Sequence, residues 1–346
     1  MIIYIILLAV ISFCGVKFSS FHDDYIGVKQ TTAVKGIFAF MIFLSHSRDY
    51  YELSALWTDT SFNRILSVIG QLMVTLFFFY SGYGVLESYK KKENYNKSFF
   101  RKRILKTLMH FDFAVLLFLI VTLSLGKKYP IENYFLSWIG WTSFGNSNWF
   151  MFVVLLMYVI TLASFTVVSV MKSRGGLRIL YVVIIVTILA CIAWICLWLS
   201  GKKSTWFNTL LCYPAGMMYS LLGDKIEKLM KKKRFYYPAL LLLSVVFIVL
   251  RFVIRNVATY SICACVFCLI IVLVTMKVKF DNPFLQFFGK YSFSIYILQR
   301  IPMMLLERVG ISQPILFTAL AFAVTCIMAV IYDKAMNIID KKLLKA

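Results

Sequence analysis

Thr31–Arg48 reads TTAVKGIFAFMIFLSHSR, a short apolar helix with a lysine near one end and a histidine near the other. At 100° per residue, the eleven steps from Lys35 to His46 return to within roughly 20° of the same face, and they separate the two side chains by about 16 Å along the axis. Ala39 and Ile42 lie between them on that stripe. The uninterrupted apolar run, Ile37–Leu44, is well short of the ~20 residues that a lipid-facing span requires. The helix is therefore expected to be shielded by neighbours or to line a polar cavity, because ionisable groups at membrane depth face the bundle interior or water.

The surroundings of this helix are strongly apolar. Of 346 residues, 61% are apolar and only 15% charged, and the mean hydropathy is +0.82. Soluble domains do not reach such values, so the chain is an all-α, polytopic transmembrane helical bundle. The formal charge of +22 falls in short runs between apolar segments, as expected of loops held on the cytoplasmic side and not of a basic nucleic-acid face. The eight cysteines lie inside apolar segments, without histidine or carboxylate at ligand spacing. Buried packing accounts for them better than metal or redox chemistry, and no metal is expected. The N-terminal MIIYIILLAVISFCGVK has no basic region before its apolar core and no small-x-small site, so it reads as a short first span and not as a removed signal.

Eleven candidate spans follow: 2–18, 32–49, 66–88, 104–125, 148–171, 179–200, 206–222, 238–254, 257–276, 291–309 and 314–333. The short first span and polar second one allow a count of ten. Taking Lys17–Lys35 as cytoplasmic places most of the 37 basic residues on that side, with the N-terminus outside and the C-terminus inside. Lys35 then sits at the cytoplasmic end of its helix and His46 toward the outer half. No loop is long enough to form a domain. The two largest connections, Tyr50–Arg64 and Gly126–Ser147, are external, and interfacial anchoring accounts for Tyr134, Trp138 and Trp141. No internal repeat of the transporter type is visible. Residues 1–30 form an additional N-terminal helix and linker, and 31–346 the main bundle.

Four stretches carry candidate chemistry. In the first, His46 can act as a general base toward a hydroxyl or as an acyl carrier, with Lys35 at the inner end of its stripe. The second, FFRKRILK at 99–106, places Arg101, Arg103 and Lys106 at the start of a span. Arg103 and Lys106 share a face at i, i+3 and suit donor phosphates, although positive-inside anchoring explains the charges equally well. His110 and Asp112 go deeper but, at i, i+2, do not face each other. The third, LFFFYSGYGVLE at 76–87, brings Ser81 between glycines 82 and 84, which permit close helix approach, and ends on Glu87, which can pair with a loop lysine. The fourth, GKYSFSIYILQR at 289–300, puts Arg300 near mid-membrane, where it needs a partner on another helix.

Together these stretches resemble membrane acyltransferase family 3, integral-membrane O-acyltransferases of cell-surface glycans. The family's basic–Gly pair followed by histidine is matched by Lys35, Gly36 and His46. Its FFxxSG stretch corresponds to Phe77, Phe78, Ser81 and Gly82, its Arg-x-x-Arg to Arg103 and Lys106, and its WF to Trp149–Phe150. Its late S-x-x-Y segment corresponds to Ser292, Ser294 and Tyr296. Gln299 stands where many members have histidine, and Lys106 replaces an arginine and so loses the bidentate fork.

The resemblance implies transfer of an acyl group, most simply acetyl, from acyl-CoA as co-substrate to a hydroxyl of a glycan or lipid-linked sugar at the bacterial cytoplasmic membrane. No bound cofactor and no nucleic-acid partner is implied. His46 and Lys35 are the catalytic candidates, Arg101, Arg103 and Lys106 the donor-binding ones, and Ser81, Trp149 and Arg300 the candidates for lining the substrate cavity. A flippase for a lipid-linked glycan, with His46, Arg300 and Glu307 along its path, is the competing reading.

Overall fold

A computed structural model describes residues 1–171 and 175–344, and Lys172, Arg174 and Lys345 of the charge pattern lie outside the described residues. The first half of the chain forms helices α1 Ile2–Phe13, α2 Val28–Ser47, α3 Trp57–Ile69, α4 Leu72–Lys91, α5 Tyr95–Phe99, α6 Lys106–Ser124, α7 Ile131–Leu136 and α8 Trp149–Val170. The second half continues with α9 Gly175–Leu199, α10 Cys212–Met230, α11 Lys233–Ile248, α12 Val257–Lys277, α13 Pro283–Lys290, α14 Ser292–Leu298, α15 Arg300–Arg308 and α16 Pro314–Leu343. Among the described residues the only sheet is a two-stranded one, β1 Val16–Phe18 and β2 Val278–Phe280. The chain is an all-α helical bundle, as its composition requires.

Among the described residues, seven segments are long and apolar enough to cross a membrane: Trp57–Lys91, Tyr95–Ser124, Trp149–Val170, Gly175–Leu199, Lys233–Ile254, Val257–Lys277 and Pro314–Leu343. The ten or eleven spans expected from the sequence exceed this number, for reasons local to four of the expected stretches. α1 has 12 residues, about 18 Å at helical rise, and Val16–Phe18 leave it for the sheet. α2 carries Lys29, Gln30, Lys35 and His46, and α10 ends in Asp224, Lys225, Glu227 and Lys228. The stretch 291–309 breaks at Gln299 into α14 and α15. Pro302 has no N–H for the carbonyl of Leu298, so the helix cannot run through.

The interior helix is α2. Ala33, Val34, Phe43 and Leu44 are fully buried, which satisfies the requirement that its short apolar run be shielded. Its closest neighbour is α13, and the approach depends on two glycines: a Cβ on Gly36 would collide with the carbonyl of Leu285, and one on Gly289 with the carbonyl of Thr32. α4 and α10 meet in the same way, with Gly82 against Tyr213 and Gly216 against Phe79. Gly84, expected to serve the same purpose, meets nothing within 4 Å.

The N-terminal segment is tied to the late part of the chain by the sheet, in register Val16↔Phe280, Lys17↔Lys279 and Phe18↔Val278. Opposing lysines destabilise a strand pair, and carboxylates relieve them here. Asp281 takes Lys29 at 2.7 Å and Lys17 at 3.4 Å, and Asp24 takes Lys279 at 2.6 Å. These lysines hold both carboxyls below the ordinary aspartate range. The Asn282 amide further donates to the carbonyls of Ile11 and Cys14, each at 3.0 Å.

Candidate active site

A cavity of about 910 Å³ enters the bundle between α2, α4, α8 and α14. Its mouth lies at the end holding Asp23, Asp24, Lys91 and Lys92, and its inner wall reaches Ile42, Phe150 and Tyr296. Lys35, Ala39 and Ile42 all line it, so the stripe read from helical spacing faces this space. Arg103 enters from the opposite wall, where its Nε donates to the Tyr95 hydroxyl at 3.4 Å. Among the described residues neither Lys35 nor Arg103 has a carboxylate partner. Two enclosed cations without a counter-charge make the cavity a receptor for an anion. The remaining polar wall is hydroxylic: Ser81 and Tyr158 share a hydrogen bond of 3.0 Å, and Tyr80 and Tyr83 stand beside them.

His46 sits one helical turn beyond Ile42 and does not itself line the cavity. The Tyr296 ring lines the cavity and lies 6.1 Å from the imidazole between centroids. Gln299, fully buried in the α14–α15 break, donates its amide to His46 Nδ1 at 2.7 Å and to the Tyr296 carbonyl at 3.2 Å. An amide N–H can only donate, so Nδ1 accepts and the neutral ring carries its hydrogen on Nε2. Gln299 Oε1 is left buried without a partner. Such an atom costs about 1–3 kcal/mol, which the fold retains beside its one deep imidazole.

Residues 30–333 match the family described as acyltransferase domain. The chain belongs to acyltransferase family 3. Comparison with curated proteins and with solved structures returned no match. Family and helices together make this a multi-pass membrane acyltransferase.

Within this acyltransferase the candidate residues separate into two groups. Lys35, Arg103 and Ser81 meet in the cavity. Lys106, Arg101, Trp149 and Arg300 are not among its lining residues. Lys106 is held by Asp340 at 2.7 Å, a carboxylate that also takes His110 at 3.0 Å. The divergence of Lys106 from Arg103 has a local cause: Phe100–Leu105 is a π-helical turn, and its wider i→i+5 winding breaks the i, i+3 register assumed for an α-helix. Arg101 is exposed on that turn. Trp149 packs edge-on against Phe150, the residue that reaches the cavity in its place. Arg300 pairs with the half-exposed Asp49 at 3.1 Å, just past the end of α2, on another element as expected.

In the loop before α8, Trp141 packs against Lys202, whose Nζ lies 3.5 Å from the ring centroid, beside Trp206. The cavity tyrosines Tyr80, Tyr83 and Tyr158 carry no sequence signal that separates them from ordinary core aromatics. Glu87, by contrast, pairs with Lys90 and Lys91, each at 3.0 Å, as its position suggested.

Proposed function

We propose that this acyltransferase moves an acyl group, most simply acetyl, from acyl-CoA to a hydroxyl of a cell-surface glycan or glycolipid at the bacterial cytoplasmic membrane. The observation that carries the reading is the cation pair Lys35 and Arg103, without carboxylate partners in a cavity that reaches Ile42, one helical turn before His46. The mouth faces the cytoplasm, where acyl-CoA is found. Donor phosphates occupy the Lys35–Arg103 region, and the thioester arm points toward Tyr296.

In the transfer step the acceptor oxygen bonds to the thioester carbonyl carbon, the C–S bond breaks and the thiolate leaves. His46 takes the hydroxyl proton and returns it to the departing sulfur. That role needs the Nε2 lone pair free, with the hydrogen on Nδ1. Turning the Gln299 amide over supplies this state, because Oε1 then accepts from Nδ1–H. Gln299 thereby selects between a donor and a base form of the ring. Tyr296 borders both the thioester end of the cavity and the imidazole, 6.1 Å from it between ring centroids.

Mass spectrometry of surface glycans from cells with and without this chain tests the reading. A mass increment of one acyl group, present only with the chain, is expected, and identical glycans would refute it. The translocation alternative is less well supported, because Arg300 is paired with Asp49 and Glu307 is exposed, so neither is the free buried charge that reading calls for.

A further inference from the structure

We propose that Asn146, Ser147, Tyr296 and Arg300 form a subsite for an uncharged, polyhydroxylated acceptor such as a sugar ring, beside the His46–Gln299 pair at the inner end of the cation-lined cavity. This rests on the transfer reading above.

The supporting observation is a concentration of unsatisfied polar atoms around one imidazole. Asn146 Nδ2 and Arg300 Nε are buried without a hydrogen-bond partner, in addition to Gln299 Oε1, and the buried Ser147 and Tyr296 hydroxyls have only each other. Asn146, Ser147 and Tyr296 are 6%, 8% and 8% exposed. They come from two segments that face each other. The loop before α8 contributes Asn146 and Ser147, and the α14–α15 break contributes Tyr296 and Arg300. Ser147 lies beside the Tyr296 hydroxyl, and Gly145 of the same loop rests near the Met304 sulfur of α15. Phe150 closes one side, with its ring centroid 5.1 Å from that of Tyr296.

Buried polar atoms are normally paired, and an unpaired cluster marks a place completed by something else. The chemistry of the set defines the occupant. Asn146 Nδ2 and Arg300 Nε donate, while the Ser147 and Tyr296 hydroxyls can donate or accept. An apolar ligand would satisfy none of them. Asp49 already balances the charge of Arg300 at 3.1 Å, so the subsite offers an acidic ligand no net attraction. Neighbouring sugar hydroxyls, each both donor and acceptor, match the set, and the Tyr296 and Phe150 rings offer apolar faces to the ring carbons. An acceptor hydroxyl held by Tyr296 lies near His46, whose ring is 6.1 Å away between centroids.

The test uses the full chain in proteoliposomes, with acetyl-CoA and the glycan fraction extracted from envelopes of cells lacking the chain. Wild type, Asn146→Ala, Ser147→Ala and the milder Ser147→Thr are compared for acceptor KM, donor KM and acceptor-independent hydrolysis of acetyl-CoA. The expected result is an acceptor KM raised about tenfold in both alanine variants, with donor KM and hydrolysis unchanged. Those two unchanged values also show that the variants are folded. An unchanged acceptor KM would mean that water alone fills the cluster and would overturn the subsite. A donor KM that shifts with it, or a preference for the acidic components of the glycan fraction, would overturn it as well. Absence of transfer by the wild type would instead bring down the transfer reading itself.

Discussion

His46 and Gln299 show how one hydrogen bond sets the chemistry of an imidazole. The 2.7 Å contact between the amide and Nδ1 couples the ring's tautomer to the amide's orientation: with the amide nitrogen toward Nδ1 the ring hydrogen sits on Nε2, and in the proposed reaction the amide turns over to free Nε2 as a base. Gln299→Leu removes the selector while leaving the ring. The expected outcome is a kcat at least about tenfold lower, with acyl-CoA KM unchanged, as a fraction of the 10²–10⁴-fold contribution of general base catalysis. Gln299→Glu, which only accepts when ionised, should retain more activity than the leucine variant, and steady-state kinetics of the two compare them directly. For the donor, Lys35→Met should raise the acyl-CoA KM by about ten- to a hundredfold, since a hydrogen bond to a charged group contributes about 1.5–3 kcal/mol; titration with the donor at fixed acceptor reads it. Lys35 and His46 were legible in the sequence because helical periodicity alone puts them on one stripe. Asn146 and Ser147 were not, because nothing in a polar loop distinguishes a buried amide or hydroxyl from a solvated one.

At the level of elements, α2 is placed by backbone contact and not by side-chain interlock. The Gly36 and Gly289 positions each face a carbonyl across the α2–α13 contact. Gly36→Ala should therefore force the helices apart at a cost of about 1–3 kcal/mol, the range for overpacking a filled interior. Gly84→Ala, with open space around it, should be neutral or stabilise by a few tenths of a kcal/mol to about 1 kcal/mol through helix propensity. Thermal unfolding of the two variants in detergent, followed by the loss of monodisperse protein, separates them. Small residues in the sequence announce close packing without saying which of them bears it; Gly82 does and Gly84 does not. The π-turn at Phe100–Leu105 and the break at Gln299 were likewise hidden. Each depends on a departure from regular α-helical winding, and the periodicity argument assumes that winding throughout.

For the whole molecule, apolar composition established a helical membrane bundle, whereas the number of crossings depended on packing. Helices sheltered by neighbours, such as α2, need not meet the requirement that lipid sets for an exposed span. The sheet and its carboxylates hold the mouth region together from opposite ends of the sequence. Because Asp24 and Asp281 have carboxyls held low in the folded state by Lys279, Lys29 and Lys17, their contribution is complete above the unfolded aspartate value near ~3.9. It is lost only as pH falls below that toward the depressed folded values. Limited proteolysis of the 14–30 segment should therefore be unchanged from neutral pH down to about pH 5 and should accelerate in more acidic buffer, while Asp281→Asn should already be faster at neutral pH.

The central claim is that a donor held by Lys35 and Arg103 delivers its acyl group past Tyr296 to an acceptor beside His46. Acetyl-CoA-dependent labelling of envelope glycan by membranes carrying the wild type or His46→Ala, at matched expression, tests it most directly. The account predicts labelling in the wild type and a loss of about 10²–10⁴-fold in the variant; labelling by His46→Ala at the wild-type rate would contradict it.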